Sequence, residues 1–75
     1  MHVRLYTREG CHLCDEALEL LQRHGLQPEM VDIDADAELR MLHDQWVPVV
    51  EIDGQIRFRG RVDAILLQRI LAKRQ

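Results

Sequence analysis

Leu5-Tyr6-Thr7-Arg8-Glu9-Gly10-Cys11-His12-Leu13-Cys14 is the stretch that decides the fold. In order it reads as the end of a strand, a glycine turn and the first turn of a helix. Val3 and Leu5 suit a buried strand that Tyr6 closes, and Arg8-Glu9-Gly10 is the turn. Leu13, Ala17, Leu20 and Leu21 then recur at the helical period, with Leu18 widening the apolar stripe. Cys11 and Cys14 are the two cysteines of the chain. Their spacing puts both on one face of the first helical turn. Unpaired N–H groups there carry the positive end of the helix dipole, which favours a sulfur anion. Thiol–disulfide exchange needs that placement, because the thiolate is the attacking species.

Gly25 supplies a stop for this helix, and Pro28 opens a second strand through Met30-Val31-Asp32-Ile33. Asp34 or Asp36 can cap a short second helix carrying Leu39 and Leu42. Val49-Val50-Glu51-Ile52 reads as a third strand. Asp53-Gly54 is a hairpin turn signal, and Ile56-Arg57-Phe58-Arg59 answers as a fourth strand. Asp63 can cap a last helix bearing Leu66, Leu67, Ile70 and Leu71. The order is β-α-β-α-β-β-α. Its first half makes a parallel βαβ unit with a right-handed crossover. Its second half adds an antiparallel hairpin and a returning helix. The expected fold is α/β: a four-stranded mixed sheet flanked by three helices.

Seventy-five residues make a single domain, 1–75. A chain of this length buries only ~60% of its unfolded surface, so its stability margin is small. Apolar residues at 47% and charged residues at 31% argue against disorder. A formal charge of −3 gives no footprint for nucleic acid or anionic lipid. No apolar run approaches the ~20 residues of a membrane span. The first residues lack the parts of a secretory signal, so a cytoplasmic location is expected, and a monomer with it. In a reducing compartment, CxxC beside a strand–helix unit points to redox or metal chemistry rather than to a staple. A bridge across so short a loop also removes little unfolded-state entropy.

With these elements in place, the chain resembles a glutaredoxin-like member of the thioredoxin superfamily over nearly its whole length. Leu5 to Cys14 resembles the glutaredoxin first strand and active-site loop, and Val31-Asp32-Ile33-Asp34 resembles the second strand. Val47-Pro48 resembles the family's valine–proline step, in which the proline is cis. Gly60 to Asp63 falls at the glycine turn before the last helix. The run CHLCDEA is similar to that of small bacterial glutaredoxin-like proteins. The resemblance implies a thioredoxin-like fold. It also implies a thiol–disulfide oxidoreductase, acting on protein or glutathione mixed disulfides in cell redox homeostasis and electron transport. Its partners would be disulfide-containing proteins or glutathione. Glutathione or a thioredoxin-type reductase would return the electrons, and no tightly bound cofactor is expected.

Under this reading Cys11 is the solvent-facing nucleophile and Cys14 the resolving thiol. The helix N-terminus, Arg8 and a protonated His12 would favour the Cys11 thiolate, whereas Asp15 and Glu16 oppose it. His12 stands at the family's proline and reads equally as a pH-dependent positive neighbour or an exposed turn residue. Leu13, where many relatives carry tyrosine, reads first as packing of the helical turn and second as an apolar face for substrate. Trp46 replaces a threonine and reads first as core cover, second as an aromatic wall beside the thiols. Pro48 interrupts an apolar run, which argues for a special backbone feature. A cis bond there would leave the Val47 backbone open to an extended substrate, and a trans proline at a strand start is the alternative.

Arg57 and Arg59 alternate with Phe58 and read as charges guarding an edge strand. Arg61, nearer the turn, could meet a carboxylate of glutathione or of a protein substrate. Of the glutathione-binding pattern that the resemblance implies, Arg8, Val47-Pro48 and Gly60 are kept. Arg61 replaces the second glycine, Asp63 falls at the hydroxyl position and Ala64 replaces the acid. Asp63 therefore reads as a helix cap or as a contact to a γ-glutamyl group. No metal site is expected: two thiolates are half a tetrahedral set, and His2, His24 and His43 are scattered. Two other functions stay open on the residues alone. One is a zinc or iron–sulfur carrier completed by a second chain or glutathione. The other is a non-catalytic interaction domain.

Overall fold

The structure, a computed structural model, describes residues 1–73. Its strands are β1 (Val3–Thr7), β2 (Glu29–Asp32), β3 (Val49–Ile52) and β4 (Gln55–Arg59). Its helices are α1 (His12–Arg23), α2 (Ala37–His43) and α3 (Ala64–Ala72), with a 3-10 turn at Ile33–Ala35. The sheet order is β2-β1-β3-β4. β1 runs parallel to β2 and antiparallel to β3, and β3 runs antiparallel to β4. This is the four-stranded mixed sheet with three helices that the sequence predicts. Among the described residues, no helix is long and apolar enough to cross a membrane.

Period-two alternation along β1 splits the core. Val3 and Leu5 join Val50, Ile52 and Phe58 on one face, against Ala17 and Leu21 of α1 and Leu67 of α3. Tyr6 and Val49 turn to the other face, with Ile33 and the partly buried Val31, Leu39 and Val47. As predicted, Phe58 is buried, Arg57 and Arg59 are exposed, and β4 is an edge strand.

Local chemistry sets the boundaries. α1 ends in a Schellman motif: Leu26 N–H donates to Leu21 O at 3.0 Å and Gly25 N–H to Gln22 O at 2.9 Å. The β3–β4 loop has positive φ at both central residues, +49° at Asp53 and +85° at Gly54. That is the backbone of a two-residue hairpin whose twist matches its strands. Asp63 caps α3, its carboxylate accepting from Ile65 N–H at 2.9 Å and Leu66 N–H at 3.0 Å.

Two expectations for the α2 region need correction. Ile33 does not continue β2. The Asp32 carboxylate accepts from Asp34 N–H at 2.9 Å and turns the chain into the 3-10 turn. Of the two caps that the sequence offers, Asp36 takes the role at α2, accepting from Glu38 N–H at 2.8 Å. Leu42 is 69% exposed and does not belong to an apolar face, whereas His43 is buried.

Candidate active site

β1 delivers the chain to the site through a turn. Gly10 takes φ +79°, which suits a residue without Cβ, and Cys11 N–H returns to Arg8 O at 3.3 Å. Cys11 is the N-cap of α1 in extended conformation, and Cys14 lies on the first helical turn. The two are disulfide-bonded, with Cα atoms 5.2 Å apart. Cys14 is buried, and Cys11 is the more exposed of the pair. Cys14 N–H donates to Cys11 Sγ at 3.1 Å. A backbone donor at the positive end of the helix is thus aimed at the outer sulfur.

The antiparallel register pairs Tyr6 with Val49. Val47-Pro48 immediately precedes Val49, so the valine–proline step enters the sheet next to the strand end that feeds Cys11. The Val47–Pro48 bond is cis, as the sequence predicts, and Pro48 is fully buried. Gly60 N–H is shared between Trp46 O and Pro48 O, both at 2.8 Å. The glycine turn after β4 is thereby tied to the valine–proline step. Among the described residues, nothing pairs with the Val47 N–H or C=O.

Trp46 is 61% exposed, which overturns its reading as core cover. Leu13 is 42% exposed, so packing of the helical turn does not account for it either. It lines a groove between α1 and the turn before α3, with Glu16, Arg61 and Val62. His12 is exposed beside the disulfide. Asp63 acts as the α3 cap, the first of the two roles read for it.

Arg8 carries the largest surprise. Its Nε and NH2 atoms form a two-pronged bond to Asp34, both at 2.9 Å. Its NH1 bonds the Asp44 carboxylate at 3.2 Å and the Asp44 carbonyl at 3.1 Å. Asp34, with Asp44 adding to it, holds the guanidinium more firmly charged than usual, and Arg8 in turn pulls the Asp34 carboxyl below its ordinary range. Arg8 therefore clasps the 3-10 turn and the end of α2 to the active-site loop, and two carboxylates offset the charge expected to act on Cys11. Asp34 and Asp44 are the residues that sequence reasoning missed. They lie 26 and 36 positions from Arg8, and no local pattern announces such pairs.

A cleft of about 380 Å³ opens beside Cys14, lined by Arg8, Glu9, Asp15, Met30 and Asp32 among others. Among the described residues, no group of three or more His, Cys, Asp or Glu side chains is placed to hold a metal ion.

Residues 2–72 match the model of the glutaredoxin-like domain (DUF836). No curated protein matches the chain. Among solved structures, the chain is similar to protein XcR50 from X. campestris in its X-ray form. That likeness is 35% identity and a TM-score of 0.81, over 95% of this chain and 96% of that one. The solution structure of the same protein gives 35% identity and a TM-score of 0.80, over 97% and 95% of the two chains. The thioredoxin-like protein BC3987 is 27% identical, with a TM-score of 0.69 over 91% of this chain and 97% of its own. With the family model spanning both cysteines, the cis-proline step and the last helix, the chain belongs to the glutaredoxin-like domain family.

Proposed function

We propose that the protein is a dithiol–disulfide oxidoreductase that works through Cys11 and Cys14. The observation that carries this is the placement of the pair: a bonded cysteine couple at the entrance of α1, its outer sulfur accepting a helix N–H. In the reduced protein the same donor and the helix dipole favour the Cys11 thiolate. That thiolate attacks one sulfur of a substrate disulfide, and the other sulfur leaves as a thiolate. The Cys14 thiolate then attacks Cys11 Sγ, the Cys11–Cys14 bond forms, and the second substrate thiolate leaves. Two electrons pass from protein to substrate, and the protons lost by the two cysteines balance those gained by the products. The Val47 N–H and C=O, unpaired among the described residues, offer an extended substrate a strand partner beside the sulfurs. Exposed Leu13 and Trp46 add apolar surface, and Gly60 fixes the loop that presents Val47. A thioredoxin-type reductase restores the dithiol, with glutathione the alternative donor that the parallel assays compare.

Disulfide reductase assays with the two electron donors in parallel test this reading. Turnover is expected with at least one donor and is lost in Cys11→Ser. Cys14→Ser is expected to accumulate a mixed disulfide with substrate, visible by mass spectrometry. Reduced wild-type protein that transfers no electrons to any disulfide overturns the proposal.

A further inference from the structure

Building on the oxidoreductase reading, we infer that the site selects disulfides carried on cationic protein segments and discriminates against anionic thiols such as glutathione. The arginine preceding Cys11 is already occupied by Asp34 and Asp44. An incoming carboxylate would have to displace partners that hold all three nitrogens of Arg8 at 2.9–3.2 Å. Within the Arg8–Asp34–Asp44 clasp one positive group meets two negative ones, and Arg40 acts on Asp34 from outside it. Glu9, Asp15 and Asp32 add three further carboxylates along the cleft beside Cys14. Arg61 lies on the opposite flank of α1, in the groove with Leu13 and Glu16, so the field over the disulfide is lopsided.

Glutathione bears two carboxylates and one ammonium group, and its disulfide bears twice that set. Both approach the negative cleft with the wrong sign. A disulfide flanked by lysine or arginine approaches with the right one, and a cleft with an excess of one sign of charge can change encounter rates by ~10-fold or more. Arg8 is thus a positioning residue whose partners set substrate charge. It is not the anion receptor that its place before Cys11 suggests.

The test uses full-length protein reduced beforehand and freed of reductant, so that each molecule delivers one pair of electrons. Two cyclic disulfide peptides are compared, identical except that one is flanked by lysines and the other by glutamates. The lysine peptide is expected to react about tenfold faster at low ionic strength. The ratio should approach one at ~1 M salt, where the Debye length is ~3 Å. Two variants then separate charge from structure. Asp34→Asn with Asp44→Asn lifts both negative charges from Arg8, so the ratio should fall and consumption of glutathione disulfide should rise. Arg8→Met takes the bonded cation away from both carboxylates, leaving only the more distant Arg40 acting on Asp34, so the ratio should climb. Both variants break the same clasp, and a purely structural role would move the two ratios in the same direction. Equal wild-type rates, or ratios shifting together, overturn the selectivity and leave the dithiol chemistry standing. Failure to reduce either peptide, with both cysteines verified as thiols, overturns the oxidoreductase reading and the selectivity with it.

Discussion

On the sheet face covered by α1 and α3, Val3, Leu5, Val50, Ile52 and Phe58 meet Ala17, Leu21 and Leu67, each 5% exposed or less. On the face covered by α2, the buried apolar cluster is Tyr6, Ile33 and Val49. There Arg4 bonds Glu29 at 2.7 Å and lies 3.6 Å from Glu51, and the Arg8 clasp joins α2 to the loop before Cys11. The first face is closed by packing and the second largely by polar contacts. Apolar burial supplies most of the stability of so small a domain, so the α1–α3 face should hold the fold. The α2 face has freedom to carry the charges that shape the site.

The largest expected effect follows from that contrast. Leu67 is fully buried, and Leu67→Ala should cost about 2–5 kcal/mol of unfolding free energy through lost burial and a residual cavity. Leu42 is the same residue type on the other side, 69% exposed. Leu42→Ala should stay within about 0.5 kcal/mol of wild type. Urea denaturation of the two variants measures the difference, and equal costs would break the contrast between the faces.

A smaller effect sharpens it. Asp63 and Asp36 cap α3 and α2 with the same kind of hydrogen bond. Removing either cap should cost about 1 kcal/mol of helix stability. α3 is anchored by Leu67, so Asp63→Ala should lower the global unfolding midpoint. α2 rests on fewer buried contacts, so Asp36→Ala should appear mainly as faster hydrogen exchange at α2 amides. A global shift as large as that of Asp63→Ala would show α2 to be as firmly coupled as α3.

The two faces also differ in how far the sequence specifies them. The α1–α3 face is written in local signals: the helical stripe through Ala17 and Leu21, the Gly25 stop, the Asp53-Gly54 hairpin and the Asp63 cap. The cysteine pair and Pro48 were legible because each sits where neighbouring elements leave little choice. The α2 face carries weaker local signals. A seven-residue helix spans two turns, too few for periodicity to tell Leu42 outside from His43 inside. Ile33 looks like strand, and only the Asp32 carboxylate turning back on Asp34 ends β2. Trp46 looks like core because tryptophan is large, yet it is 61% exposed. The Arg8 clasp joins residues far apart in sequence, where charge alone does not reveal pairing.

The smallest expected effect concerns His43, the polar residue buried on the thinner face. Its ring lies 4.9 Å from that of Tyr6, tilted by 43°. Burial pushes its pKa below the ordinary histidine value of 6.5, and Arg59 pushes the same way while Glu51 opposes. The folded protein thus binds this proton less readily than the unfolded chain. Its contribution to stability is complete above about pH 6.5. It is lost progressively as pH falls from there through the lowered folded value, at no more than ~1.4 kcal/mol per pH unit for one proton. His43→Gln removes that titration. Between roughly pH 7.5 and 5, the wild-type urea midpoint should fall more steeply than that of His43→Gln. Trp46 N–H donates to His43 O at 2.7 Å, so protection of that amide, taken relative to its intrinsic exchange rate at each pH, should weaken over the same range in wild type only. Parallel stability curves for the two proteins would place His43 outside the buried layer and leave the α2 face with no pH-sensitive contact of this kind.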